Sequence, residues 1–209
     1  MRFKAVIFDM DGVLADSLDA YFLAEKHALE AAGVRVSDGY LHSYSGMPST
    51  VMMRSVLEPL GRGAEVGRWY EVMEDRLMDA LKESLEPVKG APEAVAELKS
   101  RGFKLAVASS SKRRFVEFAL EKIGMAKEFA AIVCFDDVGK GKPEPDVFLR
   151  AAELLGVKPQ ECVVVEDAAN GVEAAHRAGM KCIALEPEAG GKLEADWKIT
   201  QLEQLLEIV

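Results

Sequence analysis

Long apolar runs are missing from this sequence: none of its stretches approaches the roughly 18 residues that a membrane-crossing helix needs, so no span is expected. A secretory leader is not expected either, because Asp9 interrupts the N-terminal stretch before an apolar segment can form. The chain reads as cytoplasmic, without membrane contact. Cysteine is scarce. Cys134, Cys162 and Cys182 make an odd set with no C-x-x-C spacing, which predicts buried thiols and neither a disulfide nor a zinc site. Positive charge is also in deficit, with 26 basic against 35 acidic residues and a net charge of −9. That balance argues against a nucleic-acid partner and requires any small anionic substrate to find local cations. Internal repeats and low-complexity tracts are absent. Over 209 residues, 49% apolar and 29% charged residues predict a packed core, in one large domain or one carrying a modest insertion, with a monomer expected.

Five short apolar runs rich in branched residues read as buried parallel strands: Phe3 to Phe8, Phe103 to Ala108, Ala131 to Phe135, Cys162 to Val165 and Lys181 to Leu185. Helical patterns lie between them, over Ala91 to Arg101, Lys112 to Ile123, Pro145 to Leu155 and Asn170 to Ala178. The alternation predicts an α/β fold with a doubly wound parallel sheet. About ninety residues separate the first two strands, far more than one crossover helix requires. A helical insertion is therefore expected over 15–87, with the core made of 1–14 and 88–209. Its faces read as Leu18, Tyr21, Phe22, Leu29 and Ala32, then Val51, Met52, Val56 and Leu60, then Val66, Tyr70, Met73, Leu77 and Leu81.

Ligands of such sheets sit beyond the carboxyl ends of the strands. Asp9 and Asp11 follow the first, Ser109, Ser110, Ser111 and Lys112 the second, Lys142 lies beyond the third, and Glu166 and Asp167 end the fourth. A second acidic pair at another strand's end would crowd like charge unless a cation is shared, and an all-oxygen set suits Mg²⁺. Asp11-Gly12 also reads as a plain turn, and Lys140 competes with Lys142 for the role of balancing the acids. Ser109 could donate to a phosphoryl oxygen, leaving Ser111 to cap the following helix. Lys112, Arg113 and Arg114 open that helix, where negative charge is usually favoured; they read either as an anion site, with Lys112 the candidate, or as a solvated basic turn.

Phe8-Asp9-Met10-Asp11-Gly12-Val13, Ser109, Lys142-Pro143-Glu144-Pro145-Asp146 and Val165-Glu166-Asp167, in that order, resemble the four motifs of the haloacid dehalogenase-like (HAD) phosphohydrolases. The resemblance implies a Rossmann-like core with an inserted helical cap and a Mg²⁺-dependent phosphatase for small phosphomonoesters of the sugar-phosphate or phosphoglycolate type. It makes Asp9 the nucleophile that forms an aspartyl-phosphate and Asp11 the acid and base. Mg²⁺ would be held by the Asp9 carboxylate, the Asp11 backbone carbonyl and Asp167, with Glu166 direct or through water. Ser109 and Lys142 would hold the phosphoryl oxygens. An acid at position 11 speaks against carbon–halogen cleavage, since the dehalogenase branch lacks it.

Ala168 to Ala175 is similar to the branch that holds β-phosphoglucomutase and phosphoglycolate phosphatases, and Ser111-Lys112 fits the mutase's second-phosphate site, with Ser110 beside it. Tyr44, Ser45, Gly46, Met47 and Pro48 are the expected specificity loop, with Tyr21 nearby in role. Ser45 and Ser49 stand where the mutase has a lysine and an arginine, and Tyr21 where it has a histidine, which favours hydrolysis over isomerisation. A phosphomutase is the first alternative. A non-enzymatic, phospho-accepting receiver-like domain is the second, opposed by the inserted cap.

Overall fold

Branched and small apolar side chains dominate the strands β1 (Ala5–Phe8), β2 (Lys104–Ala108), β3 (Ala131–Val133), β4 (Cys162–Glu166) and β5 (Lys181–Leu185), and a short β6 (Trp197–Ile199) completes one sheet. In this computed structural model, residues 3–44, 47–186 and 192–209 are described. The six strands are parallel and run in the order β3-β2-β1-β4-β5-β6. This is the doubly wound α/β architecture, with β1 and β4 adjacent at its centre.

The described chain divides into two compact units, Met1–Asp16 with Glu86–Val209, and Ser17–Leu85. The second unit carries α1 (Leu18–Ala31), α2 (Asp38–His42), α3 (Ser49–Leu57) and α4 (Val66–Ser84). The first carries α5 (Ala91–Ser100), α6 (Arg113–Lys122), α7 (Phe135–Val138), α8 (Asp146–Leu155) and α9 (Ala169–Arg177). Its core is built largely of Ala, Val and Ile from the strands against Val147, Phe148 and Ala151 of α8 and Val172, Ala174 and Ala175 of α9. The three thiols are buried and free.

Several expectations need correcting. The third strand ends at Val133, not Phe135, because Asp137 Oδ2 accepts the Cys134 N–H at 2.7 Å and turns the chain into α7. β6 was not expected, since only Ile199 of its three residues is buried. In α1 and its C-cap, Leu29 and Ala32 are buried as expected, but Ala20, Ala24 and Ala28 make up the rest of the buried face and Leu18 is exposed. Small residues there allow the close approach of α1 and α4 that large ones would block. In α3 the buried set is Met52, Met53, Val56 and Leu57, with Val51 turned outward. α4 follows the expected spacing through Val66, Met73, Leu77 and Leu81, with Trp69 buried in addition.

Within the second unit Glu25 is hydrogen-bonded to Ser49, and burial, opposed by that bond, pushes its carboxyl up from 4.5 to about 7. A carboxyl whose folded pKa lies above its unfolded one gives the folded state the tighter hold on the proton. The stability it contributes is therefore complete below 4.5 and is lost as pH rises through about 7. Glu25→Gln, which keeps the shape of the protonated form, is expected to gain about 2 kcal/mol at pH 8 after allowance for partial solvation. That corresponds to roughly 4–8 °C in melting temperature, with no gain below the unfolded pKa. Melts at both extremes check this, and an equal shift at the two would refute it.

Candidate active site

Asp9, Ser109 and Glu166 are delivered by strand ends, and Lys142 by the loop between α7 and α8. β1 runs parallel to β4, and the Asp9 N–H donates to the Val165 carbonyl at 3.0 Å, which fixes Asp9 one residue beyond the last paired position, Phe8 with Val165. Directly after it, the Met10 carbonyl accepts from Leu14 and Ala15, and Gly12 adopts φ 80°, a conformation that glycine reaches without strain. That turn carries Asp11 off the strand.

β2 is followed directly by Ser109, fully buried, whose N–H donates to the Val133 carbonyl at 3.0 Å and whose Oγ accepts the Ser111 N–H at 3.0 Å. Ser111 Oγ donates to Asp11 Oδ2 at 2.8 Å. Ser110 Oγ accepts the Lys142 N–H at 3.2 Å, so the second strand end grips both the first and the loop of the third. The peptide bond between Lys142 and Pro143 is cis.

Lys142 is buried and its Nζ donates to Asp9 Oδ1 and, at 2.6 Å, to Glu166 Oε1, with the Phe148 ring centroid 4.9 Å away. Burial disfavours its charge, but Asp9 and Glu166 more than offset this and hold the pKa above the ordinary lysine value. Lys140 is exposed, which leaves Lys142 as the cation of the acidic cluster. Glu166 Oε2 accepts the N–H groups of Asp167 and Ala168 at 3.1 and 3.3 Å.

One oxygen from each of Asp9, Glu166 and Asp167 lies within 4.8 Å of the others. Burial pushes Glu166 up to about 7, against the pull of Lys142 and with the charge of Asp9 adding to the rise. Burial, then the charges of Asp9 and Glu166, hold Asp167 well above the usual carboxylate range. One ammonium for this many acids leaves the cluster short of positive charge. A divalent ion with a preference for oxygen fits that deficit and that donor set.

The structure thus brings Asp9, Asp11, Ser109, Ser110, Ser111, Lys142, Glu166 and Asp167 together on one unit. One expectation fails here. The cap of α6 is Lys112, not Ser111, and Ser111 spends its hydroxyl on Asp11 instead. In the basic opening of α6, Arg113 is taken up by protein acids: its N–H donates to Asp136 Oδ2 at 2.6 Å, and its side chain is held by Asp137 at 2.6 Å and by Glu117 at 3.0 Å, which leaves Lys112 as the candidate anion contact of that turn. Tyr21, half-buried in α1, and Met47, exposed before α3, belong to the second unit. Ser45 and Gly46 lie outside the described residues.

The haloacid dehalogenase-like hydrolase family model matches residues 6–185. The chain belongs to this family. It is 39% identical over 191 residues to the protein SUPPRESSOR OF QUENCHING 1, chloroplastic, of Arabidopsis thaliana, covering 88% of this chain and 18% of that protein. The chain thus spans only a small part of that relative. A phosphorylated carbohydrates phosphatase of Thermotoga maritima is 33% identical over 86% of this chain and 83% of its own length. A beta-phosphoglucomutase of Bacillus subtilis is also 33% identical, over 91% of this chain and 88% of its own. Among solved structures, a hydrolase of Pseudomonas syringae superposes with a TM-score of 0.86 at 27% identity, covering 99% of each chain. These matches give no support to a receiver-like signalling domain. Among the described residues, no helix is long and apolar enough to cross a membrane.

Proposed function

We propose that this HAD-family chain is a Mg²⁺-dependent phosphatase that hydrolyses small phosphorylated carbohydrates or related phosphomonoesters through an aspartyl-phosphate on Asp9. The observation that carries this reading is the convergence of Asp9, Lys142, Glu166 and Asp167 at adjoining strand ends, with Asp11 two residues from the nucleophile. The names of the relatives supply the substrate class.

Asp9 and Asp167 would hold Mg²⁺ with the Asp11 carbonyl. Both oxygens of Glu166 already accept protein hydrogen bonds, which suits it to support the site rather than to bind the ion directly. When bound, the ion screens the attacking carboxylate from the phosphoryl group and draws charge from its oxygens. Asp9 attacks phosphorus, and the bond to the leaving oxygen breaks as Asp11 donates its proton there. Asp11, then a carboxylate, removes a proton from the water that cleaves the aspartyl-phosphate. Ser109 and Lys142 orient the phosphoryl oxygens during a loose, in-line transfer that depends mainly on positioning. The inserted unit, taken as a cap over 15–87 and carrying Tyr21 and Met47, is assigned the choice of substrate on the family likeness. Three free buried thiols suit a reducing, cytoplasmic setting.

Phosphate release from a panel of sugar phosphates, phosphoglycolate and nucleotides tests the reading. Activity is expected with at least one small phosphomonoester, lost in EDTA and restored by Mg²⁺ in excess. Turnover unaffected by the chelator would sink the metal-dependent reading. The phosphomutase reading, favoured by the Bacillus subtilis relative, predicts instead transfer between two sugar positions, stimulation by a bisphosphate and little free phosphate.

A further inference from the structure

Gly171 stands in the first turn of α9, is buried, and is not among the residues with positive φ. Its backbone is therefore ordinary helix, a conformation in which alanine is preferred over glycine. Local structure gives no reason for a glycine here, and the reason lies across the gap. A Cβ on Gly171 would fall 1.9 Å from Cδ, 2.0 Å from Oε1 and 2.3 Å from Oε2 of Glu166. All three atoms belong to the carboxylate head, which thus rests against the bare Cα.

That head has no easy retreat. Oε1 is held by Lys142 at 2.6 Å, Oε2 by two backbone N–H groups, and the residue is 1% exposed. We infer that Gly171 is a positioning residue: its missing side chain is the seat that keeps the Glu166 carboxylate on Lys142, and through Lys142 keeps Asp9 aligned. An added methyl group would leave the helix content and would force the carboxylate off at least one of its partners.

The steric claim stands on the coordinates alone, while its consequence for ion binding rests on the metal-dependent reading above. Four full-length proteins separate the two: wild type, Gly171→Ala, Glu166→Asp, whose carboxylate is drawn back by one methylene, and the double variant. In melts without metal, Gly171→Ala is expected to lower the melting temperature of the wild type by a few degrees. In the Glu166→Asp background the same change should leave it unchanged or raise it, because only the helix preference remains. Calorimetric titration with MgCl₂ should show affinity 10–100-fold weaker for Gly171→Ala than for wild type, roughly the cost of disturbing a group that supports metal ligands. The same substitution should cost less than about 2-fold in the Glu166→Asp background, as expected for residues that act through one contact.

Equal effects of Gly171→Ala in both backgrounds would overturn the inference, as would Mg²⁺ affinity identical to that of wild type in the single variant. If Gly171→Ala does not fold, recovery of the fold by Glu166→Asp supports the inference and failure to recover overturns it. A wild type that takes up no Mg²⁺ would remove the metal reading alone, and the melts without metal would still decide the role of Gly171.

Discussion

Asp9→Asn is expected to reduce phosphate release by at least about 10⁴-fold, the scale seen when a covalent nucleophile is removed. An amide cannot form the acyl-phosphate, so rapid-quench mass spectrometry should show the phosphorylated protein in wild type and none in the variant. The fold should persist, because the β1 ladder is made by backbone groups and the Asp9 N–H to Val165 bond does not involve the side chain. The amide oxygen can still accept from Lys142. Circular dichroism and a single cooperative melt establish that the loss is chemical. A variant that keeps near-wild-type turnover would remove Asp9 from the role proposed for it.

The second large effect is expected from Lys142→Met. Methionine approximates the length of the lysine stem and removes the only cation that hydrogen-bonds both Asp9 and Glu166 among the described contacts. Breaking a buried ion pair by deleting one partner costs roughly 3–5 kcal/mol, since the remaining charges stay desolvated. In a chain of this size that is a fall in melting temperature of roughly 10 °C at pH 8.

The sign with pH follows from the same charges. With the ammonium gone, Glu166 and Asp167, already raised by burial, hold their protons more tightly still in the folded state. The penalty is then greatest at high pH and shrinks as pH falls toward 5. Saturating Mg²⁺ should recover part of the stability, because an ion bound by the folded state alone stabilises it by mass action. Turnover should fall by about 10³-fold, as when a preorganised electrostatic contact is lost from a transferring group. Equal melting temperatures of variant and wild type at pH 8 would show that Lys142 does not balance the cluster.

Much of this site is legible in the sequence, because strand ends in a doubly wound sheet are few and each carries its residues immediately behind an apolar run. Phe8 to Asp11, Ala108-Ser109 and Val165 to Asp167 announce themselves in this way. What the sequence conceals is partnership at long range. Ser111 has two plausible partners, the N–H groups that open the adjoining α6 and an aspartate 100 positions away, and spacing favours the near ones; the fold gives its hydroxyl to Asp11. Likewise the basic opening of α6 leaves an anion site and a solvated turn both open, and only the fold shows Asp136 and Asp137 of α7 bonded to Arg113. Gly171 gives no signal, since the sequence reports the absence of a side chain without reporting what fills the space. In α1 the eye follows Leu18 and Phe22, whereas the helix buries alanines, because closeness of packing there outweighs size.

The passage between the two units has an evolutionary corollary. Ala15 bridges to Pro87, and the Asp16 N–H donates to the Glu86 carbonyl at 3.0 Å, so the outgoing and returning strands of the linker are stitched together on the sheet side. Loop-closure cost grows only logarithmically with length, and here the closure is already secured by the scaffold. Segments of very different size could be grafted at this seam without unsettling the strand ends, so the length of the second unit is free to vary while the sheet keeps its register.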